Sequence, residues 1–240
     1  MAATHKEHPI THFLSFDSRD EASAQLAAEI ATQLHTGIVQ RGAATLAVCS
    51  GTSPVALFKK LRTIDLAWSR VTIVATDERL VAPTHERSNE GMIRRLLLRE
   101  RASVASLVSL YVEGHTPTSS LSLVTYRLAA MASPFDAVVL GMGLGLDEHT
   151  ASLLPDATHI DAMLASRADC VVPEFSDDRT QRISLGPARL LVTRNVYLLL
   201  FGDDKRSVYD RALEHGPLAE FPVRMALHQT RAPVTSYWSR

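Results

Sequence analysis

Five short apolar runs constrain this chain to few folds: ATLAVC (44–49), VTIVAT (71–76), LVSLYV (107–112), FDAVVLGM (135–142) and VYLLLFG (196–202). Each reads as a strand that is apolar on both faces. Between them lie helical patterns. DSRDEASAQLAAEIATQLHTGIVQRG offers Asp17 or Ser18 as a cap, places Leu26, Ile30, Leu34 and Ile38 four apart, and supplies Gly42 as a stop. VALFKKLRTI, SNEGMIRRLLLRE with Ser88 as its cap, SSLSLVTYRLAAM and DKRSVYDRALEH continue the alternation. Strands alternating with helices imply a mostly parallel sheet covered on both sides. No internal repeat, low-complexity tract or linker divides the chain. The expectation is a single doubly wound α/β domain over residues 1–240.

Composition narrows the function. Charged residues make up 21% of the 240 and the formal net charge is −1, so no global basic field points to nucleic acid or an anionic membrane. Few aromatics and two tryptophans offer no stacking platform for single strands. The N-terminal MAATHKEHPITHFLSF lacks the apolar core of a signal peptide, and no segment has the roughly 18 apolar residues of a membrane span. Cys49 and Cys170 both fall in apolar runs, where reduced, buried thiols are the expectation. A soluble, cytoplasmic protein follows.

In open α/β sheets ligands bind beyond the carboxyl ends of the strands, and three of those ends are polar. The first is CSGTSP (49–54): its small residues can expose backbone N–H groups to a phosphate, with Ser53 as a cap and Pro54 in the first helical turn. Without G-K-[ST] it is no Walker motif, and plain punctuation is the other reading. The second, TDERLVAPTHERSN (76–89), packs Asp77, Glu78, Arg79, His85, Arg87 and Asn89 into one loop; solvated charge is its bland reading. The third, FDAVVLGMGLGLDEHTASLLP (135–155), passes through three glycines and delivers Asp147, Glu148 and His149. Here a tight turn would stand His149 at a helix start, with Asp147 as a cap. His149 and His159 match no zinc spacing, and no G-x-S-x-G elbow exists.

Taken together, CSGTSPVALFKKL, VTIVATDERLVAPTHERSNEGMIRRLLL and FDAVVLGMGLGLDEHTASLLP resemble the 6-phosphogluconolactonases, and RISLGPARLLVTRNVYLLLFGDDKRSVYDRAL extends the likeness. It runs from about residue 40 to about residue 215. The related glucosamine-6-phosphate deaminases carry D-E-Y and G-H-I-A-F-N, where this chain has Asp77-Glu78-Arg79 and His149-Thr150-Ala151-Ser152.

The resemblance implies a Rossmann-like fold and hydrolysis of 6-phosphoglucono-δ-lactone to 6-phosphogluconate, without metal or cofactor. The partner is then a small phosphorylated sugar lactone, not nucleic acid or membrane. It makes His149 the base, with Asp147 to orient it or fix the loop. It gives the phosphate to the N–H groups of Ser50, Gly51, Thr52 and Ser53, to Arg79 and Lys205, and more weakly to Arg182. The other readings are a sugar-phosphate-binding protein without turnover, and a deaminase of the same fold. Three departures stand out: Ser50 replaces a glycine of S-G-G-T-S-P, two extra residues precede Leu146-Asp147, and Glu148 replaces the glycine of D-G-H. A glutamate near the imidazole would raise the His149 pKa and repel phosphate, and the insertion would compensate for the lost glycine.

Overall fold

The computed structural model describes residues 11–143, 148–177 and 179–240. Its central sheet has seven parallel strands: β1 (Thr11–Phe16), β2 (Ala44–Val48), β3 (Val71–Ala75), β5 (Ser106–Val108), β6 (Ala137–Leu140), β9 (Val196–Phe201) and β10 (Val234–Ser239). A small antiparallel sheet joins β4 (Asp77–Arg79), β8 (Arg182–Leu185) and β7 (Cys170–Val171). The helices are α1 (Arg19–Arg41), α2 (Pro54–Leu61), α3 (Asn89–Leu96), α4 (Pro117–Ala129), α5 (Ile160–Leu164), α6 (Pro187–Leu190), α7 (Asp203–Leu213) and α8 (Arg224–Leu227).

The double-faced burial expected from the apolar runs is what the strands show. In β9, Tyr197 and Leu199 pack with Leu26 and Ile30 of α1 and Leu57 and Phe58 of α2. Val196, Leu198 and Leu200, on the opposite face, pack with Val124 and Leu128 of α4 and Val208 and Tyr209 of α7. The two-residue period of a strand sends successive side chains to opposite cores, and each large one buried contributes about 1.5–3 kcal/mol.

The helix signals also read out locally. Ser18 caps α1, accepting the Glu21 N–H at 3.1 Å, and the Gly42 N–H closes the far end on the Ile38 carbonyl at 2.8 Å. Ser88 caps α3 through the Gly91 N–H at 2.9 Å. Strand β5 is shorter than LVSLYV suggests. The Ser109 hydroxyl bonds both backbone groups of Tyr111, and Arg127 Nη1 takes the carbonyls of Ser109 and Tyr111, so these groups leave the ladder. Asp77–Arg79, read from sequence as loop, is strand β4.

Strand order is β1-β10-β9-β6-β2-β3-β5. From β2 the chain winds outward through β3 to β5, then returns to lay β6 on the other side of β2. The winding reverses there, so the loops after β2 and β6 diverge and leave a crevice at the carboxyl edge.

At the opposite end of β6, the fully buried Asp136 accepts the Thr45 N–H at 2.8 Å and pairs with Arg41. A Cβ on Gly37 would lie 2.5 Å from the Asp136 carboxylate, so only glycine lets α1 pass this close. Both Arg41 and Arg194, which lies 3.9 Å from the carboxylate, are partly exposed and can rehydrate if Asp136 is lost. The penalty then falls on the stranded Thr45 N–H, at about 1–3 kcal/mol. Asp136→Ala is expected to lower the urea unfolding free energy by that amount with an unchanged m-value.

Candidate active site

The crevice is a cavity of about 840 Å³. Ser50, Gly51, Thr52 and Ser53 line it from the turn after β2, and Gly141, Met142, Gly143 and His149 from the segment after β6. Asp77 and Arg79 enter from β4, Arg182 from β8 and Lys205 from α7. Nearly all the site residues expected from sequence therefore meet in one place, although they span more than 150 positions. Asp147 lies outside the described residues.

In the first turn, Gly51 has φ 100, a left-handed conformation that favours glycine. It leads into α2, where Pro54 occupies the first turn as expected. Ser53 does not cap the helix: its backbone is helical and its hydroxyl accepts the Lys205 ammonium at 3.1 Å. Burial pushes the Lys205 pKa below the usual lysine range, with a smaller contribution in the same direction from Arg19. Cys49, beneath this turn, is buried, and burial pushes its thiol up to about 12.

The D-E-R strand divides its labour by strand periodicity. Asp77 and Arg79 point to the cavity, while Glu78, between them, points to α3. The Glu78 carboxylate accepts four hydrogen bonds, from the backbone N–H groups of Arg79, Asn89 and Glu90 (2.8, 2.8 and 2.7 Å) and from the Ser88 hydroxyl at 3.0 Å. It thus holds the positive end of α3 against β4. Burial still pushes its pKa upward, with those four bonds acting against the shift.

Asn89, in turn, supports the strand. Its amide donates to the Asp77 carbonyl at 2.8 Å and its oxygen accepts from Arg79 Nη1 at 3.0 Å. Arg79 also donates to the Arg87 carbonyl at 2.7 Å. Both acceptors are neutral, so the guanidinium keeps its charge for the cavity. Across the antiparallel ladder its partner is Arg182. Like charges directly opposed destabilise a sheet, and an anion beside them relieves that repulsion. Two other charged residues of this loop have partners of their own: His85 Nδ1 accepts the Arg87 N–H at 3.0 Å, and the Arg87 side chain bonds Thr180, in the segment before β8.

His149 is placed by close approach to Gly143. The Gly143 N–H donates to the His149 carbonyl at 2.8 Å, and a Cβ on Gly143 would lie 2.4 Å from the imidazole Nδ1. No helix starts at His149, contrary to expectation. Residues 150–153 form a tight turn in which Thr150 and Leu153 exchange backbone bonds and Ala151 has φ 53, a conformation that no helix contains. The Glu148 carboxylate reaches α7, where it accepts from Arg211 Nη1 at 3.0 Å. That ion pair gives the glutamate a partner on α7. The inserted residues that were to compensate for it belong to 144–147, outside the described residues.

Among the described residues no group of three or more His, Cys, Asp or Glu is arranged to hold a metal, and no helix is long and apolar enough to cross a membrane. With burial holding both Cys49 and Cys170 at about 12, iodoacetamide at pH 8 is expected to leave both thiols unmodified in the native protein and to label both after denaturation. Mass spectrometry of the alkylated chain reads the outcome.

A family model described as glucosamine-6-phosphate isomerases/6-phosphogluconolactonase matches residues 17–237. The 6-phosphogluconolactonase of Mesorhizobium japonicum is 34% identical over 94% of this chain and 94% of its own length, and that of Rhizobium meliloti 32% identical over 93% and 97%. A crystal structure of a 6-phosphogluconolactonase from Shewanella baltica superposes with a TM-score of 0.92 at 37% identity, covering 96% of this chain and 98% of that one. A monomeric glucosamine-6-phosphate deaminase shares the fold at a TM-score of 0.75 and 17% identity. A match that takes in every strand lining the cavity, with relatives this similar along nearly their whole length, makes the chain a member of the glucosamine-6-phosphate isomerase/6-phosphogluconolactonase family.

Proposed function

We propose that this protein hydrolyses 6-phosphoglucono-δ-lactone to 6-phosphogluconate, the lactone-opening step of the oxidative pentose phosphate pathway. The observation that carries the reading is one imidazole, His149, sharing the switch-point cavity with Arg79, Arg182 and Lys205. The lactone is an activated ester with a dianionic phosphate at its far end, and these are the groups it needs. The two free, buried cysteines suit a reducing cytoplasm.

The phosphate docks at the Ser50–Ser53 turn, where backbone N–H groups and the start of α2 favour an anion, and Lys205, Arg79 and Arg182 supply charge. This fixes the ring with its C1 carbonyl toward His149. The neutral imidazole takes a proton from water as the water oxygen attacks C1. The tetrahedral intermediate collapses, the bond from C1 to the ring oxygen breaks, and the imidazolium returns its proton to that oxygen as the C5 hydroxyl forms. The open acid loses a proton to solvent. Asp147 is assigned to orient His149. Arg79 in place of the deaminases' D-E-Y tyrosine, and Leu153 where their G-H-I-A-F-N ends in asparagine, favour lactone opening over deamination.

His149→Ala is expected to lower kcat by roughly 10² to 10⁴, the usual worth of a positioned base. Affinity for 6-phosphogluconate should stay nearly intact. The assay couples freshly made lactone to 6-phosphogluconate dehydrogenase, with spontaneous hydrolysis subtracted. Undiminished kcat removes His149 as the base, and ammonia released from glucosamine 6-phosphate would favour the deaminase.

Lys205 gives a second test. Its lowered pKa means the folded state binds fewer protons than the unfolded, so stability rises with pH between the folded value and the ordinary lysine value. Below that window the buried charge is a net cost. Lys205→Met is therefore expected to raise Tm at pH 7 while weakening 6-phosphogluconate binding by about 10- to 100-fold, as loss of a charge-assisted contact does. Calorimetry reads both.

A further inference from the structure

Asp77 and Ser152 come from different sequence motifs and meet in the interior. The Ser152 hydroxyl donates to Asp77 Oδ2 at 2.6 Å, and its N–H donates to the Ser184 hydroxyl at 3.2 Å. Ser184 lies directly opposite Asp77 across the β4–β8 ladder, and its hydroxyl passes a bond to the Leu185 carbonyl at 3.0 Å. Ser152 and Ser184 are fully buried, and Asp77 is 7% exposed. The small sheet therefore holds Ser152 twice, by side chain and by backbone.

What it holds is the turn behind His149. Thr150 and Leu153 close that turn with bonds of 3.2 and 3.0 Å, and Ala151 sits at φ 53. A left-handed alanine costs about 1–3 kcal/mol and persists only where its surroundings over-determine it. The two bonds on Ser152 supply that constraint from one side, and Gly143 closes on His149 from the other. The bond from Ser152 to Asp77 is the shorter of the two, 2.6 Å against 3.2 Å, and the stronger of the pair.

Resting on the assignment of His149 as the base, we propose that the Asp77–Ser152 hydrogen bond is a positioning device for it. It ties the turn that carries the imidazole to the strand that carries Arg79. The base and the phosphate site are thereby held at a fixed separation by one sheet. Asp77 and Ser152 act here as positioning residues, through the backbone of residues 149–153.

Ser152→Ala removes the hydroxyl without touching the cavity. The expected result is a 10- to 100-fold loss of kcat, the scale of moving a catalytic group by about 1 Å, with KM for the lactone within about twofold of wild type. Asp77→Asn keeps an acceptor and should recover at least tenfold of the kcat lost in Asp77→Ala. The Asp77→Ala/Ser152→Ala double variant should fall no further than the worse single. A purely structural role would lower Tm and leave kcat of the folded protein unmoved.

Native kcat in Ser152→Ala, or loss in KM alone, alongside an inactive His149→Ala, overturns this inference and leaves the base assignment standing. Undiminished kcat in His149→Ala removes both. If Ser152→Ala does not fold, Ser152→Cys serves, since a thiol donates only weakly: a partial kcat loss at unchanged KM upholds the proposal and native kcat overturns it.

Discussion

The parallel pairing of β2 with β3 on one side and β6 on the other is the constraint from which the site follows. A parallel sheet wound in both directions must have one place where consecutive crossovers leave in opposite senses, and the loops there cannot cover the sheet edge together. In this chain the divergence lies between the turn at residues 49–53 and the segment from Gly141. Each apolar run serves as a mount: Val48 is buried in the core on one face of the sheet and Leu140 in the core on the other, so the groups just beyond them inherit a rigid origin. Pre-organisation of this kind matters for a reaction in which water, base and carbonyl must be aligned before chemistry begins.

The second sheet, of only three short strands, joins the parts. One strand with a two-residue period places Asp77 toward the His149 turn, Glu78 toward α3 and Arg79 toward the cavity. The three consecutive charges are therefore not a solvated run: Glu78 is 1% exposed and Asp77 7%. Each has a named partner, and the register of β4 against β8 brings Ser184 and Arg182 to the positions they need. Lys205 shows the converse economy. Its burial disfavours the charged ammonium, a cost that the proposed phosphate would offset.

Much of this was legible in the sequence. The inner strands β2, β3, β6 and β9 are continuous apolar runs because both their faces are buried, and that pattern has few other meanings. The caps Ser18 and Ser88 and the stop at Gly42 were equally readable, because capping depends on neighbours three or four residues away. The outer strands β1 and β10 were not. HFLSF and VTSYWS mix polar and apolar residues, since β1 is an edge and β10 buries serines, Ser236 and Ser239, beside its apolar groups. Strand β4 was missed because its charged residues are satisfied by segments 8 to 75 positions away, which no local pattern records. The partner of Glu148 was hidden for the same reason: Arg211 is 63 residues further on. The likeness to 6-phosphogluconolactonases located the cavity residues, but not the ties among them.

The proposed pose puts the phosphate at the Ser50–Ser53 turn and C1 beside His149. A crystal structure of the protein with 6-phosphogluconate tests it most directly. The phosphate is expected within hydrogen-bond distance of Lys205 and the backbone N–H groups after β2, with the C1 carboxylate within reach of the His149 ring. A ligand bound in the reverse sense, its carboxylate on Lys205 and its phosphate beside His149, would contradict it.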